Sequence, residues 1–255
     1  MKKRFFIGLI FFVFIFAVIS YAQTASPQQT IPFPKIGINV GTANNPQDIS
    51  VTLQILLLMT ILSLAPSIVI MTTSYLRIII VFYFLRSALG TQQMPPGQLL
   101  AGIALFLTFF IMAPTWSKVN DQALKPLMDG KITATQAYDQ GIVPIREFML
   151  KNVREQDLEL FIGLANIPRP NTKADLPTYI IVPAFVISEL RAGFIIGFFL
   201  FIPFVMIDMI ISSILMSMGM MMLPPMMISL PFKILLFILV DGWNLIVGSV
   251  IRSFS

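Results

Sequence analysis

Leu53 to Met71 is a nineteen-residue, predominantly apolar run, and beyond it apolar stretches alternate with short polar breaks. A run of that length predicts a membrane-crossing helix, kinked at Pro66. Ile78 to Leu85 is apolar for only eight residues, bracketed by Arg77 and Arg86, and the polar turn Gly90 to Gln98 leads into Leu99 to Pro114. Segments this short and Arg-flanked predict re-entrant or protein-buried helices. Tyr179 to Ile207 is long and hydrophobic, with Pro183 and Pro203 inside it. Ile234 to Val240 resumes the pattern, breaks at Asp241-Gly242-Trp243 and continues to Arg252. The fold class expected is an all-α membrane protein: about four partly broken hydrophobic segments forming hairpins, plus a small helical extracytoplasmic domain.

The polar parts set the domain plan. Residues 1–22 combine Lys2-Lys3-Arg4, an apolar run from Phe5 to Ile19, and the small residues Ser20 and Ala22, which is the plan of a cleaved secretory signal. An uncleaved first helix is the competing reading. Residues 23–48 are a Pro-, Gln- and Asn-rich leader without helical periodicity. Residues 72–98 carry two arginines and no acid, so positive-inside logic places them on the cytoplasmic side. Residues 117–175 hold sixteen of the 29 charged residues and form the soluble segment. Thr133 and Gln136 have capping-box spacing, and Ile145, Phe148, Met149 and Val153 make an apolar stripe. The plan divides the chain into 49–115 with the first two hydrophobic regions, 116–178 outside the cytoplasm, and 179–255 with the last two.

One stretch within the last part stands apart. Asp208 to Lys233 contains eight of the sixteen methionines and Pro224-Pro225, with a charge only at each end. The midpoint falls on Met220-Met221-Met222. A chain folded back there sets Asp208 opposite Lys233, roughly 18 Å behind the tip at helical rise. The pattern predicts a helical hairpin with an ion pair fixing its register. Methionine is unbranched and polarizable, so a cluster of them can repack around whatever enters it, where a plug of Phe or Ile would close one shape. Core filler or a lipid-facing turn would use the same residues. Glu189 and Arg191 interrupt the preceding apolar stretch, facing either protein or the headgroup level.

Composition narrows the function. Charged residues are 11% of the chain, against roughly 25% in soluble domains. There is no Cys and no His, which excludes thiolate or imidazole metal sites and Ser-His-Asp or Cys-His catalysis. No cofactor is expected. Three units of the net charge of +5 lie in residues 2–4, and the rest of the chain gives no basis for nucleic-acid binding.

Residues 73–114, PAFVISELRAGFIIGF (183–198), MGMMMLPP (218–225) and LPFKILLFILVDGW (230–243) together resemble the FliP family of flagellar type III secretion export-gate proteins, which has SctR-like relatives in virulence systems. The likeness covers nearly everything from about residue 50, with Ile195 departing from the polar residue usual there. It implies a non-enzymatic pore subunit of the inner membrane and flagellar basal body. Such a subunit is a pentamer with FliQ and FliR that works beside FlhA and FlhB and passes unfolded proteins. The resemblance also implies a methionine gasket at Met220, Met221 and Met222 and a buried acid–base pair at Asp208 and Lys233. Glu189, Arg191, Arg77, Arg86 and Phe148 are the candidate assembly contacts. The alternative is a broken-helix secondary transporter with Asp208 as coupling-ion site. A membrane enzyme lacks a nucleophile–base pair, and a simple anchor leaves the Met loop unexplained.

Overall fold

The computed structural model describes residues 46–91, 94–165, 167, 172–220 and 223–254, with side chains from Leu53 onward. The signal-peptide and most of the leader expectations, and Met221 and Met222, lie outside the described residues. The chain divides after Leu53 into two units, and the larger, Gln54–Ser255, contains every described helix except the opening turns of the first.

Helix α1 (Pro46–Thr72) is apolar on every side, and from Leu53 on most of its side chains are exposed. A helix without a polar face suits lipid or a protein surround, not water. After a two-residue break α2 (Tyr75–Leu89) begins, and Gly90 ends it in the left-handed conformation. At 15 residues α2 is too short to cross a bilayer. It is buried in protein instead: Ile78, Val81, Phe82 and Leu85 are fully inaccessible. Helix α3 (Gly97–Val119) returns antiparallel to α2, passes through Pro114, and continues through a π-helical turn (Asn120–Leu124) into α4 (Lys125–Met128). The apolar helix thus runs on into the charged segment.

Helix α5 (Ala134–Asn152) starts at a capping box in which the Thr133 hydroxyl accepts from the Gln136 amide and the Gln136 side chain accepts from the Thr133 amide. Two of the orphan donors at the helix start are thereby satisfied. Helix α6 (Glu155–Ala165) comes next. Met149, Val153 and Leu158 from these helices pack with Leu176, Ile180, Ile181, Ala184 and Phe185. The charged segment buries its stripe on the next helix and does not close a core by itself, as a piece this small requires.

That next helix, α7 (Thr178–Ser217), is 40 residues long, roughly 60 Å at helical rise. It absorbs Pro183 and Pro203 and extends ten residues past Ile207. Gly219 takes a positive φ of 73°, where an L side chain would be strained. Helix α8 (Pro225–Leu239) opens on a proline, whose missing N–H costs nothing at that position. Asp241 in the left-handed region bends the chain by 63° into α9 (Gly242–Arg252). Among the described residues, three helical stretches are long and apolar enough to cross a membrane, Leu53–Thr72, Gly97–Met128 and Thr178–Ser217, or four if the bent pair α8–α9 is one span. Among the described residues there is no strand.

The centre of the fold is α2 against α7. Arg77 meets Glu189, Ile80 faces Gly193 and Phe84 faces Gly197, so the two helices run parallel at a nearly constant offset. A Cβ on Gly197 would lie 2.5 Å from the Phe84 ring, and one on Gly193 would lie 3.0 Å from Ile80. Glycines four apart let the backbones approach this closely. Arg77 stands at the end where α7 meets the charged segment, and Arg86 stands toward the opposite end. Buried pairing removes Arg77 from the charges that water or headgroups would sort.

Candidate functional site

Two ionic clusters sit on α7, one near each end of its contact with α2. At the first, Arg77 on α2 grips Glu189 with both arms: Nε donates to Oε2 at 2.9 Å and Nη2 donates to Oε1. The remaining arm, Nη1, donates to the Ser253 carbonyl at 2.7 Å and to its Oγ at 2.8 Å. The ring of Phe254 lies flat beneath the guanidinium, 3.7 Å from carbon to centroid. Both charged side chains are sealed from solvent, 5% and 0% exposed. A bidentate guanidinium–carboxylate pair with every arm used is the geometry that makes a buried charge tolerable.

At the second, Lys233 Nζ donates to Asp208 Oδ2 at 2.6 Å, and the Ser229 hydroxyl donates to Asp208 Oδ1 at 2.5 Å. Ser229, Lys233 and Phe237 recur every four residues and form the buried face of α8. Lys233 Nζ also sits 3.7 Å from where a Gly90 Cβ would be, at the carboxyl end of α2. The free carbonyls of a helix terminus favour a cation there. Lys233 is therefore paired with a carboxylate and lies beside a helix end whose dipole favours its charge. The cluster joins α2, α7 and α8 behind the turn 218–224. In that turn and its flanks Met209, Met216, Met218, Met220, Met226 and Met227 are exposed, whereas Met112 and Met149 in the interior are not.

The other candidates distribute unevenly. Phe148 joins the first cluster: it stacks on Phe254 at 6.1 Å and meets Phe185 edge-on at 5.9 Å. Arg86 is half-buried and lines a cavity of about 620 Å³ with Tyr83, Pro96, Gly97 and Gln98. Arg191 is exposed and has no hydrogen bond or ion pair among the described residues. Sequence reasoning missed Ser253 and Phe254, which carried no charge or motif to single them out. It also missed the role of Gly193 and Gly197, whose four-residue spacing was available as a signal. Outside the spans, the carboxyl of Glu155 is held below the usual carboxylate range by its hydrogen bond and charge contact with Lys173.

The fold and these clusters define a class: an all-α membrane protein whose apolar helices are locked by internal ion pairs and which presents a methionine-bearing hairpin. Comparison with known proteins places it further. The FliP family model matches residues 58–250, and the chain belongs to that family. It is 56% identical over 217 residues to the flagellar biosynthetic protein FliP of Bacillus subtilis, covering 85% of this chain and 98% of that protein. It is 51% identical to the protein of that name from Caulobacter vibrioides, over 86% of this chain and 82% of the relative. The Borreliella burgdorferi FliP is 43% identical over 96% of this chain and 97% of its own length.

Proposed function

We propose that this protein is a core pore-forming subunit of the flagellar type III export gate. Several copies assemble with FliQ and FliR beside FlhA and FlhB, and unfolded proteins pass through a channel closed by the loop at Met220, Met221 and Met222. The observation that carries the reading is the hairpin: a methionine-bearing tip on two helices braced by the Asp208–Lys233–Ser229 contacts. Flexible thioethers can seal around an extended chain of varying shape, provided the arms behind them do not move. Family membership supplies the flagellar context. The charged segment 116–178 then lies outside the cytoplasm. Against the transporter alternative, both Asp208 oxygens are already engaged, so the carboxylate is not a vacant ion site.

Native mass spectrometry of the detergent-extracted protein, produced together with its partners, tests the assembly. Several copies with two small hydrophobic partners are expected; a lone monomer or dimer would remove the gate reading. On the assembled complex, replacing Met220, Met221 and Met222 by alanine should open a small-ion leak in reconstituted vesicles. A tight assembled variant would show that the loop is packing and not seal.

A further inference from the structure

Arg77, Arg86 and Lys233 all lie on or beside α2, and two of the three meet a carboxylate. Arg77 has Glu189, and Lys233, next to Gly90 at the carboxyl end of the helix, has Asp208. Arg86, in the last turn of α2, has no ion pair or hydrogen bond among the described residues. The adjoining chain cannot supply an acid, because no residue from 49 to 120 is acidic. The carboxyl end of α2 offsets part of one positive charge, and Lys233 shares it, while the amino end of α3 adds a positive field of its own. The Arg86 guanidinium lies across that amino end: Nη1 is 3.3 Å from where a Gly97 Cβ would be, and the Tyr83 hydroxyl is 3.7 Å from the same point. Arginine, tyrosine and the bare Gly97 backbone line one side of the 620 Å³ cavity, with Met94 on its wall.

We propose that this cavity binds the phosphate of a net-anionic phospholipid headgroup, with Arg86 as the charged donor and the Tyr83 hydroxyl as a second one. A guanidinium presents paired, coplanar donors that match the oxygens of a phosphate. The position of the cavity selects a lipid as the source of that phosphate. Gly97 is the first residue of a helical stretch long and apolar enough to cross a membrane, and the start of a span lies near the headgroups. Tyr83 and Met94 are exposed at the cavity wall, and an aromatic hydroxyl beside a cation and an apolar side chain is the composition of a membrane–water boundary. That apolar rim suits the acyl chains attached to a lipid phosphate, which a free phosphate lacks. Basic pockets between apolar helices hold anionic headgroups in this way. The site rests on α3 entering a membrane and not on the gate reading.

Lipid retention by the full chain tests the site. The protein, held on resin in a neutral detergent, is exposed to an equimolar mixture of phosphatidylglycerol and phosphatidylcholine and washed, and the retained lipids are counted by mass spectrometry. Wild type should favour phosphatidylglycerol, and Arg86→Gln should lower that preference about tenfold, the scale of losing a charged hydrogen bond. Gly97→Ala keeps every charge but crowds the guanidinium, so it should lower the preference by less. Arg191→Gln removes an exposed cation on α7 and should keep the wild-type ratio. Equal retention of the two lipids by wild type, or an unchanged ratio in Arg86→Gln, would overturn the site. An equal loss in Arg191→Gln would overturn it too, because net charge alone would then set the ratio. Release of phosphatidylglycerol by millimolar inorganic phosphate would mark a free-phosphate site and remove the lipid. Loss of partner subunits from Arg86→Gln with lipid retention intact would assign Arg86 to a partner's carboxylate instead.

Discussion

The two ion pairs on α7 solve the problem of charge in an apolar helix in different ways. Arg77–Glu189 is closed: planar, bidentate, roofed by an aromatic ring and shut off on both sides. Lys233–Asp208 is lopsided, with the ammonium 4% exposed and the carboxylate 31% exposed. A guanidinium with fixed donors can be saturated inside a protein, while an ammonium is a point charge needing one strong partner. The comparison separates a structural lock from a brace that keeps one face toward the surroundings. The lock lies where the charged segment docks, and the brace lies behind the methionine tip.

The comparison can be broken most severely at the lock. Glu189→Ala strands a buried guanidinium and should cost about 3–5 kcal/mol, read as loss of folded protein or a lowered melting temperature in detergent. A double replacement of Arg77 and Glu189 by methionine and leucine should recover much of that loss, since an apolar pair leaves no charge to desolvate. No recovery would mean that the pair matters for more than its burial.

At the brace, the two single variants should differ. Asp208→Ala leaves a buried ammonium unpaired and should cost about 3 kcal/mol. Lys233→Ala leaves a carboxylate that is only partly enclosed and that Ser229 still serves, so about 1–2 kcal/mol is expected. Equal melting temperatures for the two variants would contradict the asymmetry of exposure.

Between the clusters, Gly197→Ala drives a methyl into the Phe84 ring and should cost about 1–3 kcal/mol. Pairing Gly197→Ala with Phe84→Leu should relieve part of it. The smallest effect belongs to the exposed Glu155–Lys173 pair, whose side chains are 76% and 56% exposed. Because the folded carboxyl titrates below its unfolded value, its contribution is present above the unfolded pKa and disappears as pH falls through the lowered folded value. Glu155→Gln should remove that slight acid dependence and bring the neutral-pH melting temperature down only by the small amount an exposed pair contributes.

How much of this was legible depends on how local the information is. Asp208 and Lys233 are 25 positions apart around a turn marked by Gly219 and Pro224-Pro225, so their facing each other follows from a hairpin alone. Arg77 and Glu189 are 112 positions apart, and nothing in the chain's pattern says that either answers the other. Taken singly, they read as contacts waiting for another subunit. Within this chain they are spent on each other, and Phe148 is spent on Phe254.

The amino-acid sequence by itself determined the class of solvent, the helical character, the hairpin around the methionines and the family, because each rests on composition, period or neighbouring residues. The short apolar run at 78–85 already pointed to a re-entrant or protein-buried helix, since eight residues cannot span lipid. The tertiary structure alone decided which charges pair and where the charged segment docks. Both follow from the parallel register of α2 on α7, set where Ile80 and Phe84 enter the gaps at Gly193 and Gly197. A register between distant helices is a property of fitted surfaces, and shape complementarity of that kind is not written in hydrophobic period or charge count.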